Sequence, residues 1–292
     1  MRGFRYCHPV LNMAYFIAVI GLAMFFMQPV CLFISLFFAV FYFAYINGAS
    51  SFLRQMRYIF PLMLFTAVLN PFFSHEGETV LFHIKEIPFT FESIFFGITA
   101  ALMLASVIFW FSSYSHIMSS DKLMYVFGGI APSFSLLVSI TLRFVPLFKY
   151  RFKSVSNARS LTGYAPVSIR GKLKEGSRVM YSMLEWSLES AVVSGESMKS
   201  RGYGLKGRTS CQRHVFCKRD FYVFGFMIIC VSFILWGIIS GLVSFSFYPA
   251  ISGDVISLKA VLFYVVYAAL CALPLAIDFA EDIKWKYMVS KI

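Results

Sequence analysis

Charge is scarce in this chain. Only 14% of its 292 residues are Asp, Glu, Lys or Arg, whereas ordinary globular domains carry about a quarter. A water-soluble fold of this length would have too few charges to cover its surface. Acids are the rarer sign, with 14 Asp and Glu against 26 Lys and Arg, for a net charge of +12. This argues against a membrane enzyme acting on lipid, which needs a cluster of Asp, His or Lys at the membrane surface. No apolar run carries an acid or base near its middle, which disfavours a proton- or sodium-driven carrier. Cysteine is sparse too. The six are Cys7, Cys31, Cys211, Cys217, Cys230 and Cys271. Three sit in or beside apolar runs, where Cys behaves as a small hydrophobe, and none suggests a secreted disulfide framework.

Hydrophobic residues make up 59% of the chain, and they come in long blocks. Val10–Ile46 has no charge and is interrupted by Gln28-Pro29, which reads as a tight helical hairpin of two short spans. Tyr58–Phe73, Ser93–Ser113, Phe221–Val243 and Ala260–Ile277 supply four more. A span needs roughly 20 apolar residues, about 17 at the least. Only helices are credible, because lipid offers open backbone groups no partner. Arg2 and Arg5 precede the first block, but it is far longer than a signal-peptide core and no small-residue cleavage site follows. The composition thus predicts an all-α integral membrane protein with about six transmembrane helices, multi-pass in the cell membrane, with the lipid bilayer as its solvent.

Of the 26 Lys and Arg, 15 fall between Lys149 and Arg219, beside only four acids, Glu175, Glu185, Glu189 and Glu196. Lys/Arg-rich loops stay cytoplasmic. With both termini inside, Arg2, Arg5, Arg54, Arg57, the basic segment, Lys284, Lys286 and Lys291 all fall on the cytoplasmic side, and only Lys85 and Lys259 fall outside. Leu123–Leu142 is also uncharged and long enough to span. A span there would move the basic segment outside, so it is read as an interfacial, re-entrant or protein-buried helix, as Gly128, Gly129, Pro132 and several Ser also suggest. Three parts follow: N-terminal transmembrane helices in 1–121, an interfacial segment with cytoplasmic helices in 122–219, and C-terminal transmembrane helices in 220–292.

After Arg143 the pattern turns amphipathic. Phe144, Phe148, Phe152 and Val155 recur at helical spacing with Lys149, Arg151 and Lys153 between them. This helix runs to about Ser160, before Gly163 and Pro166. A second runs from about Lys174 to Arg201, with Met180, Leu184, Leu188, Ala191, Gly195 and Met198 along one face. Gly202 and Gly204 end it. Ser187, Ala191, Ser194 and Gly195 are small enough for another helix to cross closely. Both helices are too amphipathic to span and too apolar to float free, and the leftover stripe has the look of an interaction surface.

Ala158-Arg159-Ser160 closes the first helix and Ser200-Arg201-Gly202 closes the second, within Glu196–Gly204. Leu142-Arg143-Phe144-Val145-Pro146 leads into the first. In these features and in its layout the chain resembles the T component of energy-coupling-factor (ECF) transporters, which carries two Ala-Arg-Xaa motifs, each ending a long cytoplasmic coupling helix. The resemblance covers nearly the whole chain. It departs where Ser200 replaces Ala, and where two apolar blocks follow the basic segment although some relatives have one. The resemblance implies a non-catalytic subunit linking two cytoplasmic ABC-type ATPases to a substrate-binding membrane S component, for vitamin or transition-metal uptake. Ala158, Arg159, Ser160, Ser200, Arg201 and Gly202 would be the ATPase-contacting residues. Arginine suits that role because its planar fork pairs bidentately with carboxylates. The alternative is a permease subunit of a conventional ABC transporter, which would normally carry one short coupling loop per ATPase.

Other patterns imitate chemistry. Gly202-Tyr203-Gly204-Leu205-Lys206-Gly207-Arg208-Thr209 approaches a P-loop, but Arg208 replaces the essential Lys and a helix precedes it where a strand is required. Cys211, His214 and Cys217 offer three metal ligands where a structural zinc site needs four, and they sit among Arg208, Arg213, Lys218 and Arg219. A basic juxtamembrane loop attracted to anionic lipid is the better reading. His75, Glu76, Glu78, His83 and Glu86 read as a solvated hairpin. No catalytic residue, cofactor, metal or nucleic-acid partner is expected.

Overall fold

The computed structural model describes residues 3–73, 77–84, 87–161, 168–205, 215–241, 243, 245–249, 252–253 and 257–290. Nine helices carry the described chain: α1 (Pro9–Phe25), α2 (Pro29–Asn47), α3 (Ala49–Phe73), α4 (Phe91–Ile117), α5 (Ser120–Ile130), α6 (Pro132–Leu161), α7 (Ile169–Ser200), α8 (Lys218–Ile239) and α9 (Leu258–Val289). Two short antiparallel hairpins, β1 (Val80–Ile84) with β2 (Ile87–Thr90) and β3 (Phe245–Ser246) with β4 (Ser252–Gly253), join α3 to α4 and α8 to α9. The protein is all-α in architecture and multi-pass in the membrane.

The apolar blocks became helices, with edges set by local chemistry. Pro29 does not merely break the first block. It opens α2 as a first-turn residue, where its missing N–H costs nothing. The third block is the apolar end of a longer helix that begins before Arg54 and Arg57 and passes through Pro61 and Pro71. The fifth block overruns its helix, which ends at Ile239 ahead of Gly241 at φ 66°. The sixth continues past Ile277 into a charged extension carrying Asp278, Glu281, Asp282, Lys284 and Lys286.

Among the described residues, six helices are long and apolar enough to cross a membrane: α2, α3, α4, Ser133–Leu161 of α6, α8 and α9, while α1 is shorter. The membership therefore differs from the sequence reading, which counts α1 and omits α6. Leu123–Leu142 is not one helix. It breaks at Ala131, between the end of α5 and Pro132. A residue before proline is pushed out of helical geometry. The two helices fold tightly onto each other there: the Ser135 hydroxyl donates to the Met124 carbonyl at 2.8 Å, and the Phe127 and Phe134 rings meet edge-on at 6.3 Å. The first basic helix does not start near Arg143 either, because α6 runs unbroken through Pro146.

The chain divides into two compact units, Met1–Leu123 with His214–Ile292, and Met124–Arg213. The first is a helical bundle around aromatic side chains. Trp110, Tyr15, Tyr42, Tyr267, Phe16 and Phe263 are fully buried. Small polar residues join α2 to α4: Ser35 and Ser106 hydroxyls lie 2.8 Å apart, and Trp110 Nε1–H donates to Ser35 Oγ at 3.0 Å. Such hydroxyl contacts tie helices together in lipid, where apolar surface gives little drive to associate. Gly97 lets α4 approach α3 closely, since a Cβ there would stand 2.8 Å from the Ala67 carbonyl.

The bundle has two distinct ends. At one, Phe4 N–H donates to Asp278, Tyr45 to Asp282, Arg219 to Glu281, and Lys122 to the Arg5 carbonyl. Here burial pushes the Cys7 thiol up to about 11, and burial with nearby Arg5 lowers the Lys122 ammonium. At the other end the two hairpins meet. Glu78 N–H donates to the Pro249 carbonyl at 3.3 Å, and Phe96 packs on Phe247 at 5.1 Å. Thus α4 ends, and α8 begins, at the end that holds Phe4 and the charged extension of α9.

Candidate functional site

In the second unit, α6 and α7 form an antiparallel helical pair. Phe148 of α6 meets Trp186 of α7 edge-on at 5.4 Å, and the Arg151 guanidinium lies 5.5 Å above the same indole. Eleven residues further along α6, Arg159 reaches Glu175, eleven residues back along α7. The matched steps establish both direction and register.

Arg159 sits in the last turn of α6, half-buried between exposed Ala158 and Ser160. Its guanidinium grips Glu175 with both branches: Nε–H donates to Oε1, and an Nη2 hydrogen donates to Oε2 at 3.4 Å. Arg178 adds a longer contact to the same carboxylate at 3.7 Å. The hydrogen bond from Arg159 holds the Glu175 carboxyl below its usual range. Both side chains are partly exposed, so solvent screens the pair and its net contribution to stability is small. Glu175 is the site residue that sequence reasoning passed over, counted only as one of four acids. Nothing local marks it, since its partner comes from another helix.

Arg201 caps α7 and is exposed. Behind it the chain turns sharply. Gly202 adopts φ 80°, its N–H donates to the Lys199 carbonyl at 3.1 Å, and Tyr203 N–H donates to the Met198 carbonyl at 3.0 Å. This crossed pair of bonds is a Schellman cap, which demands a left-handed residue and so favours glycine. Both triplets contain a serine that closes its final turn: Ser160 donates to the Asn157 carbonyl at 2.7 Å, and Ser200 to the Ser197 carbonyl at 3.0 Å.

The two triplets are not brought together. Arg159 lies against the start of α7 and Arg201 ends it. Arg201 lies 26 positions after Glu175, and the chain between them is helical up to the cap, a distance of about 40 Å at 1.5 Å per residue.

The face that α7 buries differs from the expected one. Val179 and Met183 are buried, and Glu175, Trp186 and Ser194 lie along the same side. The stripe of Met180, Leu184 and Leu188 stands outward, with Leu188 69% exposed. Among the described residues, no atom from another helix lies within 4 Å of a Cβ placed on Gly195, so none of them crosses closely there. Lys206–His214 of the P-loop-like and Cys/His stretches, and His75, Glu76 and Glu86, lie outside the described residues. Cys217 is exposed at the start of α8.

Comparison with known proteins agrees with this layout. No curated protein matches the chain. At the level of families, residues 5–211, well over half of its length, match the CbiQ family, described as cobalt transport protein. With its apolar helices, its basic helical pair and both arginine triplets in place, the chain is a member of the CbiQ family of cobalt transport proteins, a membrane transport component.

Proposed function

We propose that this chain is the non-catalytic coupling subunit of an ECF-type importer, and that it joins two cytoplasmic ABC-type ATPases to a substrate-binding S component for vitamin or transition-metal uptake. The observation that carries this reading is the placement of Arg159 and Arg201 at opposite ends of α7, about 40 Å apart by helix rise. Two arginines so far apart suit two separate docking sites better than one. Each sits at a helix end beside small residues, which permits close approach to a groove. The exposed Met180, Leu184 and Leu188 face supports a further contact with a membrane or protein partner.

In this reading the basic segment is cytoplasmic, as its excess of Lys and Arg favours. Ala158, Arg159 and Ser160 meet one ATPase, and Ser200, Arg201 and Gly202 meet the other. The parts 1–121, 122–219 and 220–292 act as N-terminal membrane helices, coupling segment and C-terminal membrane helices. ATP-driven closure of the ATPases draws on both helix ends, and α6 and α7 pass the motion to the membrane part. ATP hydrolysis belongs to the partner chains, and the S component selects the cargo.

The test is co-purification of the ATPases with the full chain, together with uptake in cells. Truncating one partner of a desolvated charge pair costs about 2–5 kcal/mol. Arg159→Ala and Arg201→Ala should each weaken ATPase retention at least tenfold, and the double variant should abolish uptake. Full retention and uptake in both single variants would overturn the reading.

A further inference from the structure

At the end of the bundle that holds Arg5 and Lys122, helices α2, α3 and α4 leave a groove of about 400 Å³. Polar Ser51, Arg54, Gln55 and His116 line it together with apolar Phe43, Ile59 and Leu62. The α3 residues follow helical spacing, so one face of the helix forms the wall. Polarity falls along that face. Hydroxyl, guanidinium and amide come in its first turns, the Tyr58 phenol next, and then only hydrocarbon. Leu62 lies 11 positions after Ser51, about 16 Å along the helix, enough for a headgroup and the upper part of an acyl chain.

The polar wall is organised. The Ser112 hydroxyl donates to Gln55 Oε1 at 3.1 Å, which leaves the Gln55 amide hydrogens free to donate. The His116 ring stands edge-on to Phe43 at 6.5 Å. Charge is of one sign. Among the described residues no carboxylate lines the groove, and α3 carries Arg54 and Arg57 with no Asp or Glu. Among the described residues, neither arginine has an ion pair.

We propose that this groove binds an anionic phospholipid. Arg54 holds the phosphate, Ser51, Gln55 and Tyr58 donate beside it, and one acyl chain lies along Ile59 and Leu62. The assignment stands on the bundle alone and does not depend on the coupling reading.

Native mass spectrometry of the full chain in mild detergent tests it, with phosphatidylglycerol and phosphatidylcholine of matched chains as probes. A basic residue near an anionic lipid surface contributes about 1 kcal/mol, so retention of phosphatidylglycerol should exceed that of phosphatidylcholine by about fivefold. Arg54→Gln should erase the preference, Arg54→Lys should keep part of it, and removing a charge that does not line the groove by Arg170→Gln should leave it intact. If Arg54→Gln does not fold, Ser51→Leu, which fills the groove, should erase binding of both lipids. Added phosphatidylglycerol should raise the unfolding midpoint of the native chain, and inorganic phosphate should not. A photo-reactive residue in place of Tyr58 should crosslink to lipid in native membranes. Equal retention of the two lipids, a preference that survives Arg54→Gln, stabilisation by inorganic phosphate alone, or a crosslink to protein would each overturn the assignment.

Discussion

Large apolar side chains fare differently in the two units. In the bundle, Trp110, Tyr15, Tyr42 and Phe16 are completely enclosed. On α7 of the basic pair, Leu184, Leu188, Val192 and Val193 are 59 to 69% exposed. The bundle helices also show apolar surface, such as Phe25 and Ile239, but they are long apolar segments for which lipid is a natural solvent. Helix α7 is not among the segments apolar enough to span, and its outward stripe shares the helix with many charges. The bundle therefore completes its packing within the chain and bilayer, whereas α7 leaves a face for something else to cover.

The sharpest way to break this contrast is to remove a side chain from each unit. Trp110→Ala leaves a cavity in the bundle core and strips Ser35 of a hydrogen-bond donor, so it should cost about 3–5 kcal/mol. Leu188→Ala should change the stability of the isolated chain by less than about 0.5 kcal/mol while reducing partner retention. Unfolding midpoints of both variants in the same detergent decide the matter, and equal shifts would dissolve the distinction.

A smaller effect probes how the pair presents its end. Gly202→Ala places a Cβ on a backbone at φ 80°, and its nearest neighbour would be Leu205 Cδ1 at 3.1 Å. It should destabilise the α7 terminus by about 1 kcal/mol. Hydrogen exchange should quicken at Gly202 and Tyr203 while bundle amides stay unchanged. Unaltered exchange there would mean that the cap contributes nothing.

The smallest expected effect concerns Glu175. Arg159 lowers its pKa in the folded chain, so its contribution is fully present above the ordinary Glu value of 4.5 and is lost as pH falls below that through the lowered pKa. Glu175→Gln should lower stability slightly at pH 7 and hardly at all at low pH. It should also free Arg159 for an outside carboxylate. Spin labels at the end of α6 and the start of α7 should then report a broader distance distribution, and an unchanged one would show that the pair does not restrain these helices.

Much of this was legible in residue order. The apolar blocks announced the bundle helices, because hydropathy over 20 residues decides what lipid will accept. The two triplets announced helix ends, because glycine after a periodic run is a local stop signal. Where the reading slipped, a long-window pattern outweighed a finer one. Hydropathy makes Leu123–Leu142 a single segment, but Pro132, a local stop signal, divides it. The expected packing face of α7 and the observed one are both apolar in part, and periodicity cannot rank two such stripes.

By itself, the sequence determined that this is a helical membrane protein with a basic insert whose two long helices each close on an arginine triplet. Hydropathy, charge balance and helix stop signals act over a few turns and need no distant partner. Only the tertiary structure decided that α6 and α7 run antiparallel, that Glu175 engages Arg159, that Arg201 stands apart at the far end, and that α2, α3 and α4 enclose a groove beneath Arg54. Each depends on residues far apart in the chain, or on which of two similar faces packs better, and the physical reason is shape complementarity between helices.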